Sequence, residues 1–587
     1  MKSKLVLLLL CVSVVVAKAQ ELKASWSEQQ LYDNSNDGFF DEFLGFNSKF
    51  IFAKFTKYQP AFGGGKSSKI KLVALDKITM KKAYAAALIG FPENKASASK
   101  YQGLTYYKTI FFENSVYVFW IKETKAKDEL YVQSFDGNLK AQKQLQKIYE
   151  LNSVKGQKKK AELFVMANKD LDEKILIGGE MAGDKGENVK IEYRLLNRDF
   201  GFEASNQVTL PYVIAERSNS LSASYELGND GNLHLKTFIT KSKDELKTLR
   251  KGESSRYPVL SVVNLKTGVL SALNFKFDNK TLFDFNYIIG KENTKVFGFF
   301  SDLIKDANGY DTHGIFYAIV DNKNNTIKSI NFSMFTKDQL NKLFSKDKDD
   351  QKKARKKDAK KGNDAAKSDE ESLQSNYTIE SVQSIDKDNL VLFCSIMYNY
   401  TVTRCVSNGN GGTTCYEDPY CRKDNVTAFK INDKGDIVWA TNVDRQITYS
   451  GWSKYDVSVI NDKSNFFVLY GSSFNEVEIT AKGKSKKKAK SNKEDFNEVE
   501  YAVFDYNTGG YQKRKYLINS ATTPKEEKKS IDAYGTQVFD NRFYFEFKKT
   551  SMKIIPQILC CLGCIPMMYI GEMYHGKGYL GNMSPIK

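Results

Sequence analysis

Lysine is the residue type best placed to do something in this chain. Lys and Arg number 88 against 70 Asp and Glu, a formal charge of +18. Part of that excess is gathered in three short runs: Lys158, Lys159 and Lys160; Lys352, Lys353, Lys356 and Lys357; and Lys486, Lys487 and Lys488. Clustered ammonium groups attract anionic partners such as lipid phosphates, acidic glycans or nucleic acid. The competing reading is a solvated loop that keeps the protein soluble. Nucleic acid is disfavoured, because the runs lack the interleaved aromatic residues on which bases stack. The runs near 343–375 and 474–499 lie in long inserts poor in apolar residues, expected to be disordered alone. Acidic residues around Asp347 and Glu370 bring the first insert close to charge balance.

Other chemistry is sparse. The three histidines, His234, His313 and His575, show none of the convergent partners that a catalytic triad or a zinc site needs. Gly63-Gly64-Gly65-Lys66-Ser67 imitates the end of a phosphate-binding loop, but Pro60 stands where the first glycine belongs and a strand-like KIKLVAL follows instead of a helix. Cys560, Cys561 and Cys564 cluster in an apolar stretch with only His575 nearby, so no metal is expected. A pair of carboxylates could still act as acid and base in glycoside hydrolysis; sequence spacing does not single one out. No catalytic residue and no cofactor is assigned.

The N-terminus supplies an address. Lys2 and Lys4 precede the apolar run Leu5 to Val16, and Ala17-Lys18-Ala19 closes it. This is the pattern of a secretory signal peptide spanning 1–19, with an apolar run too short to cross a bilayer. Its removal takes three positive charges and Cys11, leaving +15 and seven cysteines. In an oxidising compartment a bridge from Cys405 to Cys415, across the glycine-rich tip at 408–412, is expected.

The elements that must position these residues repeat. A strand–turn–strand unit recurs seven times, mostly about 55–75 residues apart, as in VLSVVNLKTGVLSALNF (259–275) and VTAFKINDKGDIVWA (426–440). Each copy is preceded by a second alternating pair, such as NLHLKTFI (232–239), reached through a tight polar turn. Four strands per repeat, here called A to D, predict an all-β chain: a single large β-propeller of four-stranded blades over 21–550. Seven blades is the expected count, with six or eight open, because an extra pair near 533–549 remains to be placed. Residues 551–587 are expected to form an apolar C-terminal appendage. Within it, 554–571 reads as a buried strand or plug, with a membrane-contacting or partner-binding tail as the alternative.

In such repeats the A–B and C–D turns share one end and the B–C and D–A connections the other. The A–B and C–D turns are short. The long connections, among them 152–160, 343–375, 398–424 and 474–499, all fall in the other class. Insertions on one face of a repeat array commonly mark the binding face.

A leader ending KAQ and the hairpin NYTVTRCVSNGNGGTTCYEDPYCRKDNVTAFKINDKGDIVWA resemble uncharacterised secreted repeat proteins of Bacteroidota, most strongly over 396–440. The resemblance implies a Gram-negative envelope location, periplasmic or outer-membrane-associated, and carries over no catalytic residue. The expected function is a non-enzymatic interaction or scaffold protein of the cell envelope. Its partner would be an envelope protein or an anionic glycan or lipid surface. The alternative is a carbohydrate-active propeller enzyme with paired carboxylates.

Overall fold

The architecture starts at the turns. Asn and Asp side chains accept hydrogen bonds from backbone amides two to four residues ahead, which closes a turn without help from the rest of the protein. Asn47 accepts from Lys49 and Phe50 at 3.0 and 2.7 Å, and Asp462 accepts from Ser464 and Asn465, both at 2.7 Å. The same geometry recurs at Asp76, Asp136, Asn197, Asn264, Asp321, Asp386, Asn432 and Asp505.

Between these turns run the strands. A computed structural model of the chain describes residues 22–28, 30–32, 39–58, 68–88, 103–124, 126–152, 162–168, 170–171, 173–181, 188–211, 224–249, 253–303, 311–343, 373–374, 377–386, 388–407, 413–450, 456–471, 498–517, 536–552 and 574–586. The signal segment, the apolar stretch 554–571 and nearly all of the inserts 343–375 and 474–499 lie outside these residues.

Seven antiparallel four-stranded sheets follow one another along the chain. Sheet 1 spans Phe39–Phe46, Phe50–Tyr58, Ser68–Asp76 and Lys82–Ala87. Sheet 2 spans Thr105–Phe111, Ser115–Glu123, Lys127–Asp136 and Ala141–Asn152. Sheet 3 spans Glu162–Asn168, Lys174–Met181, Lys190–Leu196 and Phe202–Thr209. Sheet 4 spans Ser224–Leu227, Asn232–Thr240, Arg256–Asn264 and Leu270–Asn274. Sheet 5 spans Lys280–Ile289, Asn293–Asp302, Gly314–Asp321 and Thr326–Met334. Sheet 6 spans Tyr377–Gln383, Leu390–Ser407, Thr413–Ile431 and Ile437–Ser450. Sheet 7 spans Val457–Asn461, Asn465–Tyr470, Glu498–Asp505 and Tyr511–Leu517. In each sheet the strands lie in chain order, A to D, which is the strand organisation of a β-propeller.

The extra pair near 533–549 builds one further sheet with both ends of the chain. Gln537–Phe539 pairs with Arg542–Met552, which pairs with Tyr574–Pro585, and that strand pairs in turn with Leu22–Trp26 and Gln30–Tyr32. Residues 574–585 are therefore an interior strand of a sheet, where an appendage was expected. Its glycines hid it from a strand reading. One of them has a steric reason: a Cβ on Gly581 would lie 2.4 Å from the Phe545 ring and 2.9 Å from Trp26.

The chain divides into two compact units, Ala96–Asn399 with Arg422–Arg445, and Met1–Lys95 with Tyr400–Cys421 and Gln446–Lys587. In the first unit a separate apolar cluster fills each junction between successive sheets from 2 to 6. In the other, the terminal sheet packs on sheet 7 through Leu22, Phe467 and Phe543, and on sheet 1 through Phe43, Tyr544 and Leu580. Polar ties reinforce those two junctions. The Gln537 side chain accepts from the Phe43 amide at 2.9 Å and donates to its carbonyl at 3.1 Å, as a strand neighbour would.

One conformational feature recurs in every C–D turn. A residue at or next to the end of the turn has positive φ: Gly268, Gly435 and Gly509 in sheets 4, 6 and 7, Asn325 (the last of its turn) in sheet 5, but Met80, Leu139 and Phe200 in sheets 1 to 3. Glycine and asparagine tolerate this region; an apolar side chain is strained there. The strain is offset by burial. Met80 is fully buried in the sheet 1 cluster, Leu139 is 4% exposed, and Phe200 stacks edge-on against Tyr117 at 5.3 Å.

Candidate functional site

The sheets end differently. The A–B and C–D turns are three to six residues long throughout. At the opposite end of each sheet the connections are mostly longer, with 124–126, 275–279, 408–412 and 451–456 as short exceptions. Chain order puts all three lysine runs in connections of that second class: 153–161 and 344–376 between D and A strands, and 471–497 between B and C strands. Lys158, Lys159, Lys160, Lys352, Lys353, Lys356, Lys357, Lys486, Lys487 and Lys488 lie outside the described residues.

The best-described part of that end belongs to sheet 6. The segment 398–424, expected as a loop, is instead the outer half of two long strands of 18 and 19 residues. Beta-branched and aromatic residues (Tyr398, Tyr400, Val402, Thr403) favour the extended chain. Near the tip Cys405 and Cys415 are joined, with Cα atoms 4.0 Å apart. Cys394 and Cys421 are buried in the sheet. From Thr413 to Tyr420 every residue is exposed or half-buried, and Tyr416 is 58% exposed.

The root of this hairpin holds an ionic node. Lys423, at 1% side-chain exposure, reaches Glu380, at 0%, with Nζ 2.8 Å from Oε1. Arg445 lies 3.9 Å from the same oxygen and donates to Ser395 Oγ at 2.8 Å. The node ties all four strands of sheet 6: Glu380 from A, Ser395 from B, Lys423 from C and Arg445 from D. A register shift between Ile379 and Ser381 bulges the A strand at Glu380, the usual device for re-aiming one side chain. Asn425, with φ of 54°, marks a second irregularity on the C strand. The run Arg422-Lys423-Asp424-Asn425 reads as a polar loop in sequence, yet Lys423, Asp424 and Asn425 are all buried.

Groups suited to acid–base work are bound up elsewhere. Lys127 and Lys147 together clamp Glu129 and Glu150, with contacts of 2.9–3.1 Å from Lys127 and 2.8 Å from Lys147 to Glu129. Hydrogen bonds from Lys147 and Lys127 pull the Glu129 carboxyl down to about 2 and lower Glu150 as well. A glycosidase acid needs the opposite shift. Glu226 is pushed upward, by burial of its carboxyl; the titratable groups beside it are His234 and Tyr287. His234 Nε2 is 2.9 Å from Asp230 Oδ2, a base–carboxylate pair, but the ring is 1% exposed and its Nδ1 is enclosed. Burial lowers the Lys108 amine, which donates to the Val165 carbonyl at 3.0 Å. No cluster of metal-ligating side chains occurs among the described residues.

No protein-family profile and no curated protein sequence matches the chain. Among solved structures it is similar to the WD40 domain of SCAP from fission yeast, at 8% identity and a TM-score of 0.34, covering 94% of this chain and 98% of that one. It is also similar to the β-propeller domain of the Trilobed protease from Pyrococcus furiosus, at 8% identity and a TM-score of 0.31, covering 72% and 99%. A third is the polysaccharide lyase ulvan lyase, at 8% identity and a TM-score of 0.30, covering 83% and 96%. Likeness this loose concerns fold alone and bears on no activity.

Proposed function

We propose that this protein is a non-enzymatic interaction scaffold of the bacterial cell envelope. It is exported by its N-terminal leader and holds its partner at the sheet ends that carry the long connections. The observation that supports this most is the asymmetry of the sheets. One end is cut to turns of three to six residues, while the other carries the inserts and a disulfide-joined hairpin rooted in a buried ionic node. Rigid strands that project side chains from an anchored base suit recognition, because little conformational freedom is lost on binding.

The partner is an envelope protein or an anionic glycan or lipid surface. The three lysine runs add long-range attraction to that end, with fields that reach about 8 Å at physiological salt. The alternative reading, a carbohydrate-active enzyme, would need a carboxyl raised toward neutrality and facing a second carboxylate. Glu129 and Glu150 are held the other way; Glu226 is raised by burial, but the titratable groups beside it are His234 and Tyr287 and not a second carboxylate.

Pull-down from solubilised envelope tests the reading. The wild-type chain should retain a defined partner. Tyr416→Asp with Glu417→Lys should lose it, and replacing Lys352, Lys353, Lys356, Lys357, Lys486, Lys487 and Lys488 by Gln should weaken it at low salt. A partner-free monomer that cleaves a glycan would overturn the proposal in favour of the enzyme.

A further inference from the structure

At the turn end, the junction of sheets 3 and 4 contains a cleft of about 330 Å³. Its floor is apolar: Leu171 and Leu195 come from sheet 3, Leu227 and Leu265 from sheet 4. Leu195, Leu227 and Leu265 are 5% exposed or less, so the floor is fixed by the core behind it. Gly231, at the rim, has φ of 78° and open space where a Cβ would stand.

The rim divides into groups whose hydrogen bonds are already used and groups that still have donors to offer. Asp230 belongs to the first kind. Burial alone would raise its carboxyl, but hydrogen bonds from His234 and Asn232 hold it below the ordinary value, so it stays an anion. Those bonds, from the Asn232 amide and side chain at 3.1 and 3.0 Å and from His234, occupy both oxygens. Lys174 is paired with Glu203 at 3.1 Å. Lys266 is of the second kind: it has no ion-pair partner among the described residues, and its side chain is exposed. Beside it, Asn264 uses its Oδ1 to close the turn at Lys266 and Thr267, while its side-chain amide N–H groups make no hydrogen bond among the described residues. The backbone is held from behind by Tyr193, which donates to the Leu265 carbonyl at 3.0 Å.

An aliphatic floor with two donors at its lip fits a ligand that carries an aliphatic group beside a carboxylate. The volume holds one large side chain with its carboxyl terminus. We infer that this cleft binds the C-terminal residue of a partner polypeptide, an aliphatic residue whose free carboxylate meets Lys266 and Asn264. This second site does not depend on the hairpin reading, since it shares no residue with the hairpin.

The test is calorimetric titration of the full chain with acetyl-Ala-Ala-Leu bearing a free carboxylate. Its amidated form, acetyl-Ala-Ala-Ser and 4-methylpentanoate serve as comparison probes. The free-carboxylate leucine peptide should bind, with the amide and the serine peptide each about tenfold weaker, as expected for losing a hydrogen-bonded charge or a buried aliphatic group. Lys266→Gln should weaken binding about tenfold, and Leu171→Trp should block it, both with unchanged circular dichroism. Equal binding of acid and amide, no effect of Lys266→Gln, or no binding at millimolar peptide would overturn the inference. If 4-methylpentanoate binds as tightly as the peptide, the site serves a free acid and the polypeptide assignment fails.

Discussion

Glu380 should be more costly to neutralise than its partner Lys423. Glu380→Gln leaves the Lys423 and Arg445 cations, at 1% and 3% side-chain exposure, without the carboxylate that lies 2.8 and 3.9 Å from them. Removing one partner from a buried ion pair typically costs about 3–5 kcal/mol, because a desolvated charge is left behind. Lys423→Met leaves a carboxylate that still faces Arg445, so its cost should fall lower, about 1–3 kcal/mol. The double variant Glu380→Leu with Lys423→Met replaces the pair by apolar volume. It should cost less than the sum of the single changes, with a coupling of about 1–3 kcal/mol. Urea unfolding followed by tryptophan fluorescence would read this, since Trp439 lies in the same sheet and is 8% exposed. Equal costs for Glu380→Gln and Lys423→Met, or a cost below about 1 kcal/mol for Glu380→Gln, would refute the reasoning.

Other expectations follow from other parts of the structure. Met80→Ala should lose about 2–5 kcal/mol for the vacated core, and Met80→Gly should be the less damaging of the two by about 1 kcal/mol because φ there is 59°; comparing unfolding midpoints decides it. Gly581→Val should cost about 3 kcal/mol or more, since its Cβ meets Phe545 and Trp26, and should release the N-terminal strand to limited proteolysis. Replacing Cys405 and Cys415 by Ala removes a cross-link over a sequence separation of 10, about 2.7 kcal/mol in the chain-entropy account, and should raise amide exchange in the hairpin more than in sheet 7. Glu129 has its carboxyl depressed from 4.5 to about 2, so it contributes stability present above the unfolded value and lost as pH falls through the folded one. The difference in urea midpoint between wild type and Glu129→Gln should therefore shrink between about pH 4.5 and pH 2.

Local chemistry made most of the fold legible in the sequence. Turn residues such as Asn47, Asp462 and Asp505 act within a few residues of themselves, so their role can be read without knowing the tertiary structure. The alternating strands between them follow for the same reason, as does the division into short turns and long connections. What stayed hidden depends on partners distant in sequence. The strand Tyr574–Pro585 is rich in glycine and looks irregular until Trp26 and Phe545 are known to press on Gly581. Met80, Leu139 and Phe200 carry no turn signal, because their left-handed backbone is stabilised by burial in the core. Lys423 and Asn425 look like loop residues because their polarity is matched only by Glu380 and its neighbours, and a carboxylate 43 residues away leaves no mark in local pattern. Lys266 gave no signal either, since a cleft floor drawn from two sheets cannot be seen in either one alone.

The central claim is that the hairpin end of the sheets is where a partner is held. A photo-crosslinking amino acid placed at Tyr416, which is 58% exposed, tests it directly in intact cells; the control is the same probe at Val269, which is 61% exposed in a C–D turn. The account predicts a discrete covalent adduct with a specific envelope component from position 416 and none of that mass from position 269. No adduct at 416, or the same adduct from both positions, would contradict it.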